Sequence, residues 1–150
     1  MIIRKAQVQD VKAINALIAN FAEHDRMLFR SVANLFETLQ TFTVAEDNGQ
    51  IVGCCAVEVI WADLAEVKSL AVESGVQGKG VGRLLVEEAI QQTRDLGVPR
   101  LFALTLEPGF FEKLDFQQVD MASLPMKVWS DCARCPKQDH CDEIAMVRVI

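Results

Sequence analysis

Apolar positions along the chain repeat with two periods, and turn residues mark where one gives way to the other. Residues 2–5 read as a short strand. Val11, Ile14, Leu17, Ile18 and Phe21 then recur at the spacing of one helix face, and Asp10 suits the positive start of that helix. A second helical stretch covers roughly 31–39. Residues 41–46 and 51–60 are apolar or β-branched, and Asp47-Asn48-Gly49 between them predicts a hairpin. A further strand is predicted over 64–72. After a glycine-rich window at 73–82, a helix is predicted to about Leu96, with Val81, Leu85, Ala89 and Leu96 on one face. Gly97 can cap that helix and Pro99 prevents its continuation. Residues 100–105 read as a strand, 108–114 as a short helix, 116–119 and 144–149 as strands, and 120–143 as irregular.

Strands and helices interleave in this pattern, so the expected class is α/β (α+β): a mixed central sheet flanked by helices, in one domain spanning 1–150. The hairpin makes some strand pairs antiparallel. The strand–helix–strand unit over 64–105 makes one pair parallel. At 51% apolar and 24% charged residues, the composition is that of an ordinary globular chain. No apolar run approaches the ~20 residues of a membrane span, and Met1-Ile2-Ile3-Arg4-Lys5 lacks a signal-peptide core. These features set the expectations of no membrane and a cytoplasmic location. A net charge of −6 without a basic run argues against nucleic acid. Five cysteines, two of them adjacent at Cys54 and Cys55, make a poor disulfide framework.

Candidate chemistry begins with Gln77-Gly78-Lys79-Gly80-Val81-Gly82, placed between a strand and a helix. Four of the eight glycines lie between residues 75 and 82. Glycine lets backbone approach a ligand closely. Successive amides at a helix start form a nest for an anion, and the helix dipole supports it. Lys79 and Arg83 add local positive charge on an acidic protein, so a phosphate or pyrophosphate is the expected ligand. The Walker pattern Gly-x-x-x-x-Gly-Lys-Ser/Thr is absent, and the glycine spacing does not match the dinucleotide fingerprint.

The loop resembles that of the GNAT acetyltransferases, whose pattern Gln/Arg-x-x-Gly-x-Gly/Ala is met by Gln77, Gly80 and Gly82. The preceding Ala65-Glu66-Val67-Lys68-Ser69-Leu70-Ala71-Val72 is similar to the family's central strand. Gly109-Phe110-Phe111-Glu112-Lys113-Leu114-Asp115-Phe116 resembles its Phe-Tyr-x-x-x-Gly-Phe segment. The resemblance implies acetyl-coenzyme A, with its pyrophosphate on Gln77, Gly78, Lys79, Gly80, Val81, Gly82 and Arg83. The pantetheine arm would lie along Leu70, Ala71 and Val72, where two strands splay, with Phe111 close by. Alternation puts Glu66, Lys68, Leu70 and Val72 on one strand face, and Glu66 aligns with the family's general base. An attacking amine must lose a proton, and a positioned carboxylate can take it. Backbone amides near residues 70–72 could polarise the thioester carbonyl. One departure stands out: the chain has no tyrosine, so Phe111 occupies the position of the residue that often protonates the leaving thiolate. A covalent route through Cys54 or Cys55 is the competing mechanism, but no histidine is near in sequence, and buried small hydrophobes are the alternative role.

Within the family the chain most resembles the short N-acetylglutamate synthases, through Met27-Leu28-Phe29-Arg30-Ser31, Ile51-Val52-Gly53-Cys54-Cys55, Leu101-Phe102-Ala103-Leu104-Thr105 and Lys127-Val128-Trp129-x-x-Cys132-x-x-Cys135-Pro136. This implies glutamate as acceptor and a place in arginine biosynthesis. Two carboxylates need cations, for which Arg30, Lys68 and Lys127 are candidates, with Ser31 and Ser69 as hydroxyl donors. The alternatives are another small amine, a protein amine, or an acetyl-coenzyme A-binding module without catalysis. Monomer and homodimer are both open. Cys132, Cys135 and Cys141, with His140 or Asp142, have spacing compatible with structural zinc. Reduced thiols in a loop, or an adventitious disulfide, are the other readings of that segment.

Overall fold

The computed structural model describes residues 1–23, 30–124 and 143–150. Its frame is a seven-stranded sheet in the order β1-β2-β3-β4-β5-β7-β6. The strands are β1 (Ile2–Lys5), β2 (Phe42–Asp47), β3 (Gln50–Trp61), β4 (Leu64–Val72), β5 (Arg100–Thr105), β6 (Gln117–Val119) and β7 (Ile144–Val149). Every neighbouring pair is antiparallel except β4 with β5, as the strand–helix–strand unit requires. Asn48 (φ 51°) and Gly49 (φ 78°) close the β2–β3 hairpin with two left-handed residues, the turn that matches strand twist.

Helices α1 (Val11–Glu23) and α2 (Val32–Glu37) cover one face of the sheet. Val11, Ile14, Ile18 and Leu35 pack there on Phe42, Val44, Cys54, Ala56 and Ala71. The other face is covered by α3 (Val81–Asp95) and α4 (Pro108–Glu112). Val81, Leu85, Val86, Ala89 and Ile90 of α3 and Phe111 of α4 pack there on Ala45, Cys55, Val57, Ala65, Val67 and Leu101. Each fully buried Leu, Ile or Phe in these layers contributes about 1.5–3 kcal/mol. Leu96, expected on the buried stripe of α3, is 60% exposed. It sits at the C-cap, where Gly97 (φ 77°) turns the chain away, so the stripe ends with Thr93.

A β-bulge corrects a second expectation. Cys54 pairs with Ala71 and Ala56 with Lys68, so β4 carries one extra residue opposite Cys55. Ser69 takes φ 53° there. An extra residue flips the alternation that follows it. Ala65 and Val67 join the α3 core, which turns Glu66 and Lys68 toward the α1/α2 side. Beyond the bulge the faces exchange: Leu70 and Val72 pack on the α3 core and Ala71 on the α1/α2 core. Glu66 and Lys68 therefore do not share a face with Leu70 and Val72.

Close approach of α3 to the sheet depends on Gly53. A Cβ there would lie 3.0 Å from Leu85 Cδ1 and 3.1 Å from Val81 Cγ1. Gly53→Val is expected to cost about 1–3 kcal/mol by overpacking, measured by urea denaturation. Because it lifts the first turn of α3, it is also expected to weaken whatever that turn binds.

Candidate active site

The glycine loop leaves β4 through a 3-10 turn, Ser74–Val76. Gln77 Nε2 donates to the Val72 carbonyl at 3.1 Å, tying the loop to the strand end. Gly78 (φ 86°) and Gly80 (φ 82°) are left-handed, a region glycine enters without strain. A Cβ on either would meet nothing within 4 Å, so the backbone is bare and open there. Gly80 is the N-cap of α3, and its carbonyl accepts from Leu84 N at 3.0 Å. The amides of Val81, Gly82 and Arg83 precede that first helical hydrogen bond and face forward with the helix dipole. Gly82 serves packing: its Cβ would lie 3.4 Å from the Phe110 ring. Lys79 is exposed beside the nest. Arg83 Nε donates to Glu87 Oε1 at 2.7 Å, so its charge is shared along the helix.

Next to the loop the sheet opens. β4 and β5 pair only at Ala65–Leu101 and Glu66–Phe102, yet β4 runs on to Val72 and β5 to Thr105. Past Glu66 the two strands diverge, and the β4 backbone lines one side of a wedge that points at the α3 N-terminus. Leu70 and Val72 are half-buried along it, and Ala71 is buried. Bare amides at one end and an apolar wedge behind them suit a ligand with a phosphate head and a slender arm. Phe111, expected beside that arm, is 4% exposed and packs edge-on against Phe110 and Phe116, with ring centroids 5.0 and 5.1 Å away. Its neighbour Phe110 is the ring that reaches the loop, at Gly82.

On the α1/α2 side, beside the wedge, four charges alternate in sign. Arg30 Nη2 donates to Glu58 Oε2 at 2.5 Å, Lys68 Nζ lies 3.7 Å from Glu58 Oε1, and Lys68 Nζ lies 3.7 Å from Glu66 Oε1. Glu66 is only 5% exposed, and a charge so enclosed needs the neighbouring ammonium. Arg30 Nη1 also donates to Asn34 Oδ1 and Thr38 Oγ1, each at 3.2 Å, and the guanidinium lies 5.2 Å from the Phe42 ring centroid. Arg30 thus locks α2 onto β3 as well as carrying charge. Ser31 is exposed and caps α2, its Oγ accepting from Asn34 N at 3.0 Å. Ser69 forms the bulge, where its carbonyl lies 3.4 Å from Cys54 Sγ. Glu58 was not singled out from sequence, although a lone carboxylate inside Cys54-Cys55-Ala56-Val57-Glu58-Val59-Ile60 is a visible signal.

Burial pushes the Cys54 thiol up to about 12 and the Cys55 thiol higher still. Both lie in the core as neutral small side chains, and a thiolate route through them has no support. Among the described residues no group of three or more His, Cys, Asp or Glu is placed to hold a metal. Lys127, Cys132, Cys135, His140, Cys141 and Asp142 lie outside the described residues. No helix of the described chain is long and apolar enough to cross a membrane.

An acetyltransferase (GNAT) domain family matches residues 38–118. An uncharacterized N-acetyltransferase of Chlorobaculum tepidum is 42% identical over 148 residues, covering 99% of this chain and 96% of that protein. An amino-acid acetyltransferase of Mycobacterium tuberculosis is 34% identical over 136 residues, covering 89% and 78%. Among solved structures, a Mycobacterium tuberculosis protein in complex with CoA superposes with a TM-score of 0.88 at 30% identity, covering 100% and 99% of the two chains. The N-acetylglutamate synthase from Neisseria gonorrhoeae, complexed with coenzyme A and N-acetyl-glutamate, gives 0.89 at 31% identity; the match spans 99% of this chain and 34% of that one.

These observations generate a test of the loop. Gly80→Val forces a β-branched residue to φ 82° and places bulk in front of the amide nest. Losing one or two hydrogen bonds to a charged ligand, at about 1.5–3 kcal/mol each, is expected to weaken CoA binding by about tenfold to several hundredfold. Calorimetric titration with CoA measures it, and a melting curve that stays cooperative shows that the loss belongs to the site.

Proposed function

The chain belongs to the GNAT acetyltransferase family and uses acetyl-CoA as acetyl donor, and we propose that its acceptor is the α-amine of a free amino acid, L-glutamate before others. The single observation that carries this reading is the strip of alternating charge, Arg30–Glu58–Lys68–Glu66, beside the wedge. An α-amino acid is a zwitterion. Its carboxylates call for cations, and its ammonium calls for a carboxylate. Relatives support the choice, since several are named amino-acid acetyltransferase and a synthase of the same fold was solved with N-acetyl-glutamate. A place in arginine biosynthesis follows from that acceptor. The single-domain reading of 1–150 rests on one continuous sheet covered on both faces. A cytoplasmic setting fits two buried free thiols and a cytoplasmic acetyl donor.

The division of labour follows from the bulge. The amides at the start of α3 and the bare backbone at Gly78 and Gly80 would hold the phosphates, and the β4 side of the wedge would hold the arm. Acetyl-CoA brings an acetyl group already activated as a thioester. Glu66 accepts the proton that the acceptor ammonium must lose, directly or through water, because an amine is mostly protonated near pH 7. Lys68 offsets the Glu66 charge in its enclosed position and offers a cation to an acceptor carboxylate. Backbone donors on the wedge edge of β4 past the bulge would polarise the thioester carbonyl, where negative charge develops. Holding both substrates at one opening removes most of the entropic penalty of their encounter.

Release of CoA measured across the free amino acids tests the assignment: glutamate is expected to give the highest kcat/KM. Preference for a peptide or a polyamine would overturn it, and tight acetyl-CoA binding with no amine turned over would mark a binding module. Glu66→Gln is expected to keep CoA affinity and lose about 10²–10⁴-fold in turnover near pH 7, with partial recovery at high pH, where more amine is already neutral. Lys68→Ala is expected to raise KM for glutamate about tenfold or more and leave KM for acetyl-CoA unchanged. Arg30→Ala should do the same and lower Tm as well, since that guanidinium also holds α2 to the sheet.

A further inference from the structure

One member of the charged strip has no part in the chemistry derived above. Glu58 lies on β3 directly opposite Glu66 of β4. Side chains opposite each other across a strand pair share a face, and like charges so placed repel. The pair persists because cations hold it from two sides: Arg30 on Glu58, and Lys68 between Glu58 and Glu66. All four side chains are largely withdrawn from water, at 12% exposed for Arg30, 24% for Glu58, 18% for Lys68 and 7% for Glu66. A separate ion-paired group, Arg4 with Asp10 and Glu46, gathers where β1 meets the start of α1.

The geometry also separates charge from shape. Arg30 does not depend on Glu58 for its position, because Asn34, Thr38 and the Phe42 ring fix the guanidinium from other directions. An amide in place of the Glu58 carboxylate can still accept from Arg30 through its oxygen. The strip would keep its form and gain one net positive charge.

We propose that Glu58 is a specificity-determining residue of the acceptor site, acting through Arg30 and Lys68: its carboxylate brings the four-charge strip to neutrality and so sets how strongly acceptor charge is sensed. The proposal rests on the reading that the acceptor amino acid binds at this strip. With Glu58 present, part of the charge of the two cations is spent internally, so an acceptor's extra carboxylate gains less than it would beside uncompensated cations. With Glu58 neutral, an anionic acceptor gains and a cationic one loses. The same change acts on the base. Glu66 loses a like charge across the strand pair, so it ionises more readily.

The experiment compares wild type, Glu58→Gln and Glu58→Asp with acetyl-CoA and three acceptors: glutamate, glutamine and putrescine. In Glu58→Gln, the glutamate-to-glutamine ratio of kcat/KM is expected to rise about two- to fivefold, the size of a partly exposed charge interaction, while putrescine becomes a poorer acceptor. The acid limb of kcat/KM against pH, which reports the free enzyme's base, is expected to move to lower pH by roughly half a unit. Glu58→Asp retains the charge and should keep the limb near its wild-type position. CoA affinity and Tm serve as folding controls. A Glu58→Gln enzyme that loses rate equally with all acceptors and keeps its acid limb would reduce Glu58 to a structural support and overturn the proposal. Should wild type prefer an amine other than an amino acid, the acceptor reading fails, and the acid limb measured with that amine still decides for or against Glu58.

Discussion

β4 stays beside β5 for two residue pairs and then leaves it, and the rest of the molecule is arranged to keep that separation. A strand edge stripped of its partner exposes backbone groups that are costly to leave unsatisfied. The divergence is stable because each strand is held elsewhere. β5 pairs with β7 along its whole length, from Arg100–Val149 to Thr105–Ile144. β4 remains on β3 as far as Val72–Gly53, and Glu73 N then donates to the Val52 carbonyl at 2.8 Å. The wedge is therefore a consequence of two well-paired halves of one sheet. The Ser69 bulge gives it two functional sides. Before the bulge, β4 presents Glu66 and Lys68 to the α1/α2 side; after it, Leu70 and Val72 turn toward α3 and the glycine loop. One nine-residue strand thus presents charge on one face of the sheet and apolar side chains on the other.

The charged strip shows why enclosed charge is built from pairs. Removing one partner of a fully buried ion pair costs about 3–5 kcal/mol, because the other charge is left without compensation. Here no side chain of the strip is more than 24% exposed. Each carboxylate has a cation within 3.7 Å and Lys68 serves two, so the strip tolerates charge in a place where a lone carboxylate would neutralise. That tolerance suits the proposed role of Glu66 as base, which requires the carboxylate to be ionised when the acceptor arrives.

Much of this architecture was legible from the sequence, for identifiable reasons. The amphipathic period of residues 11–18, the Asn48-Gly49 turn and the Gly97 stop each encode local geometry in local chemistry, and each element stands where the pattern put it. The geometry of the glycine loop was legible for the same reason: a left-handed Gly80 at a helix start is a backbone requirement that leaves a mark in the sequence. The bulge left none. Ser69 at φ 53° is imposed by register with β3, which strand alternation cannot reveal, and so Leu70 and Val72 were placed on the wrong face. Glu58 was missed because its meaning lies in its cross-strand partner. Phe111 was matched to a family position by spacing, while its burial against Phe116 follows from how α4 folds back on the sheet. Asp115 stands where the family pattern has glycine and adopts φ 67°, in the left-handed region that glycine enters without strain.

The absence of tyrosine bears on how the reaction can finish. Phe111 stands where an acid would be expected and carries no proton, and its ring is closed into the core. The requirement for an acid there is weaker than the family pattern suggests. A thiol has an ordinary pKa near 8.5 and an amine near 8 or above, so a thiolate departs near neutral pH without the assistance that an alkoxide would need. The demanding proton is the one on the incoming ammonium, which blocks attack outright until it is removed. The arrangement of groups matches that order: an enclosed carboxylate, a neighbouring ammonium and a counter-charge lie on the α1/α2 side, and an apolar ring lies on the other. With Glu66 as the proposed base, the pH dependence would belong to its strip, and the thiolate would leave unassisted or take its proton from water.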